Sequence, residues 1–256
     1  MGRNLLRVIG VGLVGIGVGL GLAVRLEAQT PIPSANQRQN PILLLQRAAN
    51  FLKAKPSFSF ETDIQFDNIL ESGQKVQYSA FQKVYVQRPN RLRVDYTGDL
   101  RATRFFFDGQ TMTLQDADQL FYATRPMVGT IDDAIAAVDQ VFGLNIPLSN
   151  LVVSDPYGAV APTITNSRYL GMGMVNRVPA HHLLYQTGER DVQVWVSDGR
   201  EPTVQKILIT YRDLPGSPQY TAVFSRWQFA PPLQARWFRF RPPAGVGQVE
   251  SSFPVK

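Results

Sequence analysis

The stretch Ser57-Phe58-Ser59-Phe60-Glu61-Thr62-Asp63-Ile64-Gln65-Phe66-Asp67 decides the fold. Phe58, Phe60, Thr62, Ile64 and Phe66 fall on one side of a two-residue period, with serine, glutamate, aspartate and glutamine on the other. That alternation is a β-strand with one buried face. Just before it the period is helical. Asn40 is a helix cap, Pro41 suits the first helical position, and Ile42, Leu45, Ala48, Ala49 and Leu52 share a face until Pro56 stops the run. Just after it, Glu71-Ser72-Gly73-Gln74 turns the chain into a strand over 75–87, and Arg88-Pro89-Asn90 turns it into another over 91–96.

The alternation continues outward. Residues 104–107 and 111–114 flank Asp108-Gly109, a pair that accepts the positive φ angles of a tight hairpin, and residues 116–119 lead into a strand over 120–124. Thr130 and Asp133 form a capping box ahead of Ile131, Ile135, Val138, Val141 and Phe142, which have helical spacing up to Gly143. A proline-bearing loop (Pro147, Pro156, Pro162) follows. Strands resume over 167–175, 180–185, 192–197, 204–211, 220–229 and 237–241.

Short connections make sequential strands pair antiparallel. A sheet of this width curls rather than staying flat, and two helices of about four turns cannot cover its apolar side. The expected fold is therefore mainly β (α+β): a single strongly curved antiparallel sheet, a half-open barrel of about eleven strands, with two or more helices across its concave face. Such a shape can enclose an apolar cavity. The residues expected to line it are Phe58, Phe60, Ile64, Phe66, Leu92, Val94, Tyr96, Phe105, Phe107, Met112 and Leu114. Ordinary core filling would account for the same residues.

No convincing catalytic set stands out. His181 and His182 are the only histidines, and neighbours on a strand point to opposite faces, so they cannot share a metal or a proton. The sequence has no G-x-S-x-G elbow, no H-E-x-x-H and no P-loop. Gly10, Gly12 and Gly15 spell G-x-G-x-x-G, but with no βαβ unit to hold a pyrophosphate. No cysteine is present, which removes disulfides, thiolate metal sites and lipidated cysteine anchors. No metal, no cofactor and no nucleic acid is expected. Arg88, Arg91, Arg93, Arg101 and Arg104 form one basic set, and Arg226, Arg236, Arg239 and Arg241 a second. They read first as solvent-facing ladders, and alternatively as a surface for anionic lipid headgroups or an acidic partner.

The N-terminus reads as an export leader. Arg3 and Arg7 precede an uncharged run from Val8 to Val24, and Ala28 offers a cleavage position. The expected organisation is a signal peptide or uncleaved anchor over 1–28, a flexible linker over 29–40, the β domain over 41–243 and a tail over 244–256. The compartment is the periplasm, the alternative being an inner-membrane anchor with the domain on the periplasmic side. Without the leader the chain carries 23 basic and 19 acidic groups, a mild excess that further disfavours nucleic acid.

Several longer motifs carry a family likeness. They are Gln46-Arg47-Ala48-Ala49-Asn50-Phe51-Leu52, Ser57-Phe58-Ser59-Phe60, the run from Arg88 to Asp95, Phe107-Asp108-Gly109, Ser154-Asp155-Pro156-Tyr157, and the run from Tyr211 to Gly216 with Gln219-Tyr220. Over about residues 41 to 243 the chain resembles an uncharacterised family of predicted periplasmic proteins. That family is similar in fold to the periplasmic lipoprotein carriers and outer-membrane lipoprotein receptors of the LolA/LolB type. The resemblance implies fold and compartment, and no catalytic residue carries over. The receptor branch is anchored through a lipidated cysteine, which this chain lacks. The sequence reading is thus a non-enzymatic periplasmic binding protein for a lipid, a lipoprotein acyl chain or another apolar ligand. An envelope protein or an anionic membrane surface is the further partner considered. The rivals are an interaction or sensor module with a filled core, and, third, a hydrolase. N-terminal sequencing of the mature protein is expected to begin at Gln29, and an intact Met1 or Gly2 terminus in the membrane fraction would establish the anchor instead.

Overall fold

Asn40 opens the first helix as expected: its Oδ1 accepts the N–H groups of Ile42 and Leu43 at 3.0 and 3.1 Å. In the computed structural model, which describes residues 39–142 and 146–249, this helix is α1 (Pro41–Lys53), and it buries Leu44, Ala48, Ala49 and Leu52. The leader (1–28) and nearly all of the linker lie outside the described residues.

Six strands then meander: β1 (Ser57–Ile69), β2 (Lys75–Gln87), β3 (Arg91–Gly98), β4 (Ala102–Phe107), β5 (Thr111–Asp116) and β6 (Phe121–Pro126). The β4–β5 connection has three residues. Asp108 Oδ1 accepts the N–H groups of Gln110 and Thr111, and Gly109 has φ +87°. A Cβ there would also meet Asn90 Nδ2 at 2.5 Å, so any other residue would be strained at this φ and would have to push the Asn90 side chain aside. The second helix is α2 (Ile131–Phe142). Its capping box is present: Thr130 N–H and Oγ1 both donate to Asp133 Oδ2 (2.8 and 2.7 Å), and Asp133 N–H returns to Thr130 Oγ1 at 3.3 Å.

The proline-bearing segment is not a plain loop. It folds into a short helix, α3 (Pro156–Val160), between two single 3₁₀ turns, with Asp155 capping the Gly158 N–H. Four strands form a second meander, β7 (Asn166–Val175), β8 (Val178–Gln186), β9 (Arg190–Ser197) and β10 (Val204–Tyr211), and β11 (Gln219–Phe229) joins it to the first. With the two-residue β12 (Gly247–Gln248) at one edge, the sheet order is β12-β6-β5-β4-β3-β2-β1-β11-β10-β9-β8-β7, so β1 lies near the middle, against β2 on one side and β11 on the other. Among the described residues every pairing is antiparallel except that of β12, which runs parallel to β6 from within the expected tail. The protein is mainly β, a single curved antiparallel sheet that does not close, with helices across its concave face.

Two expectations need correction. Residues 237–241 do not form a strand: Ala235–Phe238 is a 3₁₀ turn. Its aromatic side chains find partners on the outer face of the sheet, which holds the segment against side chains instead of leaving it to pair at a backbone edge. Trp237 meets Tyr85 edge-on at 5.9 Å, and Phe240 packs on Phe106 (5.3 Å) and Tyr122 (4.7 Å). Arg88 does not stand on a solvent-facing ladder. It is half-buried, its Nη1 donates to the Val152 carbonyl at 2.8 Å, and its guanidinium lies 5.5 Å from the Phe58 ring. Burial pulls its pKa down, and the charge of Asp132 opposes that shift.

The concave core is continuous. Phe58, Phe60, Ile64, Val84, Leu92, Phe107, Met112, Ile131, Val138, Leu183, Val196 and Phe224 belong to one cluster, each with 2% or less of its surface accessible. Thr62 sits inside this row, fully buried, and among the described residues its hydroxyl has no hydrogen-bond partner. Because an unpaired buried hydroxyl costs about 1–3 kcal/mol, Thr62→Val is expected to raise unfolding stability by about 1 kcal/mol in urea titration. A loss of stability would show that the hydroxyl has a partner. Phe58→Ala and Phe107→Ala, both at sites with no exposure, are expected to cost about 3–5 kcal/mol in the same assay.

Candidate functional site

All eleven residues expected to line a cavity lie in, or pack on, the same concave cluster. The register explains why: Phe58 is opposite Val86, Val86 opposite Leu92, Leu92 opposite Phe107, and Phe107 opposite Met112, so one parity crosses five strands unbroken. The structure then divides them. Phe60, Phe66, Leu92, Val94, Tyr96, Phe105 and Leu114 line a cavity of about 370 Å³. Phe58, Ile64, Phe107 and Met112 line neither this cavity nor the one described next.

Helix α2 contributes Ile135 to this first chamber, and residues 146–149 with Val152 close its side. Its rim is polar, formed by Asp67, Arg101 and Gln219 together with Leu214, which is 46% exposed. Tyr96 and Tyr220 bring hydroxyls to the wall, and burial pushes both phenols above their ordinary pKa, so they remain neutral at physiological pH. Gln82 adds a buried amide.

A second chamber, of about 520 Å³, was not legible in the sequence. One wall is α1, through Leu45, Ala48, Ala49 and Leu52. The floor is Val192 and Val194 of β9 with Ile207 and Ile209 of β10. Val192-Val194 and Ile207-Ile209 do carry the period-two signal of a buried face. What no local pattern revealed is the opposing wall, built by Asn150, Leu151, Ala159 and Val160 from the segment read as a loop. Tyr185 ties α1 to this floor by donating from its hydroxyl to the Pro41 carbonyl at 2.7 Å, and burial raises its pKa strongly.

Pro147 and Leu148 line both chambers and so form their shared wall. The second chamber is rimmed by Thr187, Gly188 and Glu189, the turn between β8 and β9, and by Arg190 at the start of β9. In this antiparallel order that turn lies at the same end of the sheet as the β3–β4 turn carrying Arg101 and the β10–β11 turn carrying Leu214. Both rims therefore lie at one pole. At the opposite pole stand the β2–β3 turn, with the half-buried Arg88, and the β4–β5 turn.

The histidines do point apart. His181 is buried, bonded through Nδ1 to the Tyr169 hydroxyl (3.1 Å) and through Nε2 to Asp198 (3.3 Å). His182 stacks on Trp195 at 4.1 Å and bonds Gln193 at 2.9 Å. Neither lines a chamber.

A family model matches residues 42–251, which spans all twelve strands and the described helices but for Pro41 of α1. The chain belongs to the DUF2092 family of predicted periplasmic proteins. Membership of DUF2092 places it in the periplasm. Among the described residues no helix is long and apolar enough to cross a membrane. No curated protein matches this DUF2092 chain. Among solved structures it is loosely similar to an uncharacterised conserved protein from Thermus thermophilus (TM-score 0.47, 10% identity, 81% of this chain and 96% of that one). LprF from Mycobacterium bovis gives a TM-score of 0.44 at 14% identity over 81% and 97% of the two chains. A LolA superfamily protein from Nitrosomonas europaea gives 0.39 at 11% identity over 77% and 96%.

The chamber rims generate a test of access. Leu214→Arg, at the exposed edge of the first chamber, is expected to leave the melting temperature within about 2 °C, since surface substitutions cost ~0.5 kcal/mol or less. It should also slow entry of an apolar dye in stopped-flow fluorescence. An unchanged entry rate would mean that the dye enters elsewhere.

Proposed function

We propose that this DUF2092 protein is a non-enzymatic periplasmic binding protein that holds a lipid, a lipoprotein acyl chain or another apolar ligand between its curved sheet and its helices. The observation that supports this reading is the pair of apolar chambers, about 370 and 520 Å³, that share the Pro147–Leu148 wall and carry their polar rims at one pole. Both volumes fall in the range of small-molecule sites. A core meant only for stability would be packed close to crystal density, and gaps of this size remove the dispersion contacts that stabilise it. The energy available to a ligand is ample, since each methylene moved from water contributes about 0.8 kcal/mol. The half-buried, neutral phenols of Tyr96 and Tyr220 and the buried Gln82 amide suit a ligand with a few polar atoms and orient it without drawing a charge inside.

Titration with an environment-sensitive apolar dye tests the proposal. Saturable binding, displaced by a long-chain fatty acid, is the expected result. Val94→Trp fills the first chamber and Val194→Trp the second, so each variant should lower the dye capacity and the double variant should abolish binding while the circular dichroism spectrum is retained. If the wild-type protein binds no dye, or the folded double variant binds as well as wild type, the carrier reading is wrong and the filled-core interaction module replaces it.

A further inference from the structure

The two basic sets found in the sequence meet at a place remote from the chambers. Arg91 comes from the first set and Arg236, Arg239 and Arg241 from the second, and with Asp108 and Ala235 they surround a concavity of about 180 Å³. It lies beside the β2–β3 and β4–β5 turns, at the pole opposite the chamber rims.

The segment Arg236-Trp237-Phe238-Arg239-Phe240-Arg241 is held so that its arginines converge. Phe238 is completely buried, and Trp237 and Phe240 pack on Tyr85, Phe106 and Tyr122 of the outer face. Arg93, forked onto Asp95 by two bonds of 2.9 Å, also donates to the Trp237 carbonyl at 3.4 Å. With the aromatics turned inward, the intervening arginines are left exposed around the concavity.

The charges there do not balance. Asp108 is the one acidic residue in the lining, and its Oδ1 is occupied by the N–H groups of Gln110 and Thr111. Only its Oδ2 reaches a guanidinium, that of Arg239 at 3.4 Å. Arg91 bonds the neutral Gln87 at 3.1 Å, and among the described residues no carboxylate pairs with Arg236 or Arg241. Four like charges gathered in one concavity repel one another, and an anion bound among them would relieve that repulsion. Guanidinium forks match the oxygens of a tetrahedral oxyanion in pairs, and the small volume suits a phosphoryl or diphosphoryl group without an apolar body.

We propose that the concavity formed by Arg91, Arg236, Arg239 and Arg241 is a phosphoryl-binding site, separate from the apolar chambers. The group could arrive on a free phosphate compound or on a phosphorylated lipid headgroup, and the experiment distinguishes these sources. In calorimetry with pyrophosphate at low salt, one saturable site is expected, weakening as salt rises. Arg236→Gln and Arg241→Gln, at side chains without ion-pair partners among the described residues, should each weaken binding about tenfold and together abolish it at a melting temperature no lower than that of the wild type, since removing two of the four like charges relieves repulsion. Arg168→Gln, on β7 at the far edge of the sheet, should leave binding intact. In the second arm, flotation is measured with phosphatidylcholine vesicles containing phosphatidic acid or, at equal charge density, oleate. Pyrophosphate binding that the double variant loses supports the site with a soluble ligand. Absence of pyrophosphate binding, with flotation that needs phosphatidic acid and both arginines, supports it with a headgroup ligand. Absence of binding in both arms overturns the proposal. So does binding indifferent to the double variant, or equal flotation with oleate where pyrophosphate does not bind.

Discussion

The ladder between β1 and β2 is the constraint on which the rest of the structure depends. It runs without a break from Ser57 opposite Gln87 to Ile69 opposite Lys75. Side chains alternate faces along a strand, so this register commits Phe58, Phe60, Ile64 and Phe66 to one side and Ser59, Glu61 and Asp63 to the other, and a slip of one residue would reverse every assignment. Strands added on either flank inherit the parity. A register shift between Ser59 and Glu61, in the pairing of β1 with β11, adds local twist near the middle of the sheet, where the two meanders join.

Inheritance of one apolar parity over so many strands creates more concave surface than α1 and α2 can cover. The structure resolves the excess unevenly. Toward the pole with Arg88, Phe58, Val86, Phe107 and Met112 are wholly buried, and the outer end of α1 is held by Phe51 against Phe229 at 4.9 Å and by Lys55 over the Phe51 ring at 4.2 Å. Toward the opposite pole, Phe66, Val94 and Tyr96 are only half-buried and the chambers open. One end of the sheet is close-packed and the other borders open volume, and Phe60 and Leu92 belong to both, buried in the core cluster and lining the first chamber.

The outer face follows a different logic. Its aromatic residues form local platforms, with Trp195 beside His182 and under Lys206 on one half, and Tyr85, Phe106 and Tyr122 beneath the C-terminal segment on the other. The second platform turns a run of alternating arginines and aromatics into an anchored strap. Basic residues about 150 positions apart in sequence thereby converge around Asp108. Acid works against this corner: burial alone would raise the Asp108 pKa, but the N–H groups of Thr111 and Gln110 and the Arg239 guanidinium bring it below the ordinary carboxylate range. Its stabilisation is present above the unfolded carboxyl pKa near ~3.9 and is lost as the pH falls through the lower folded value.

The sequence by itself determined the local elements and their parity. Asn40-Pro41 and Thr130 with Asp133 started two helices through cap hydrogen bonds between near neighbours, and the period-two runs set which side of each strand is buried. These features rest on contacts a few residues apart, so a linear reading captures them. Tertiary structure alone decided that Phe60 and Leu114 border empty space while Phe58 and Met112 do not, because a cavity is the volume left between elements and no residue encodes it locally. It also decided that 149–164 forms a chamber wall, and that Trp237 and Phe240 pack edge-on or tilted against aromatic rings of the outer face, so that their segment does not pair as a strand. An alternating pattern reports only that one side is buried, and whether a sheet edge or another face buries it depends on which surfaces the remaining chain has left uncovered.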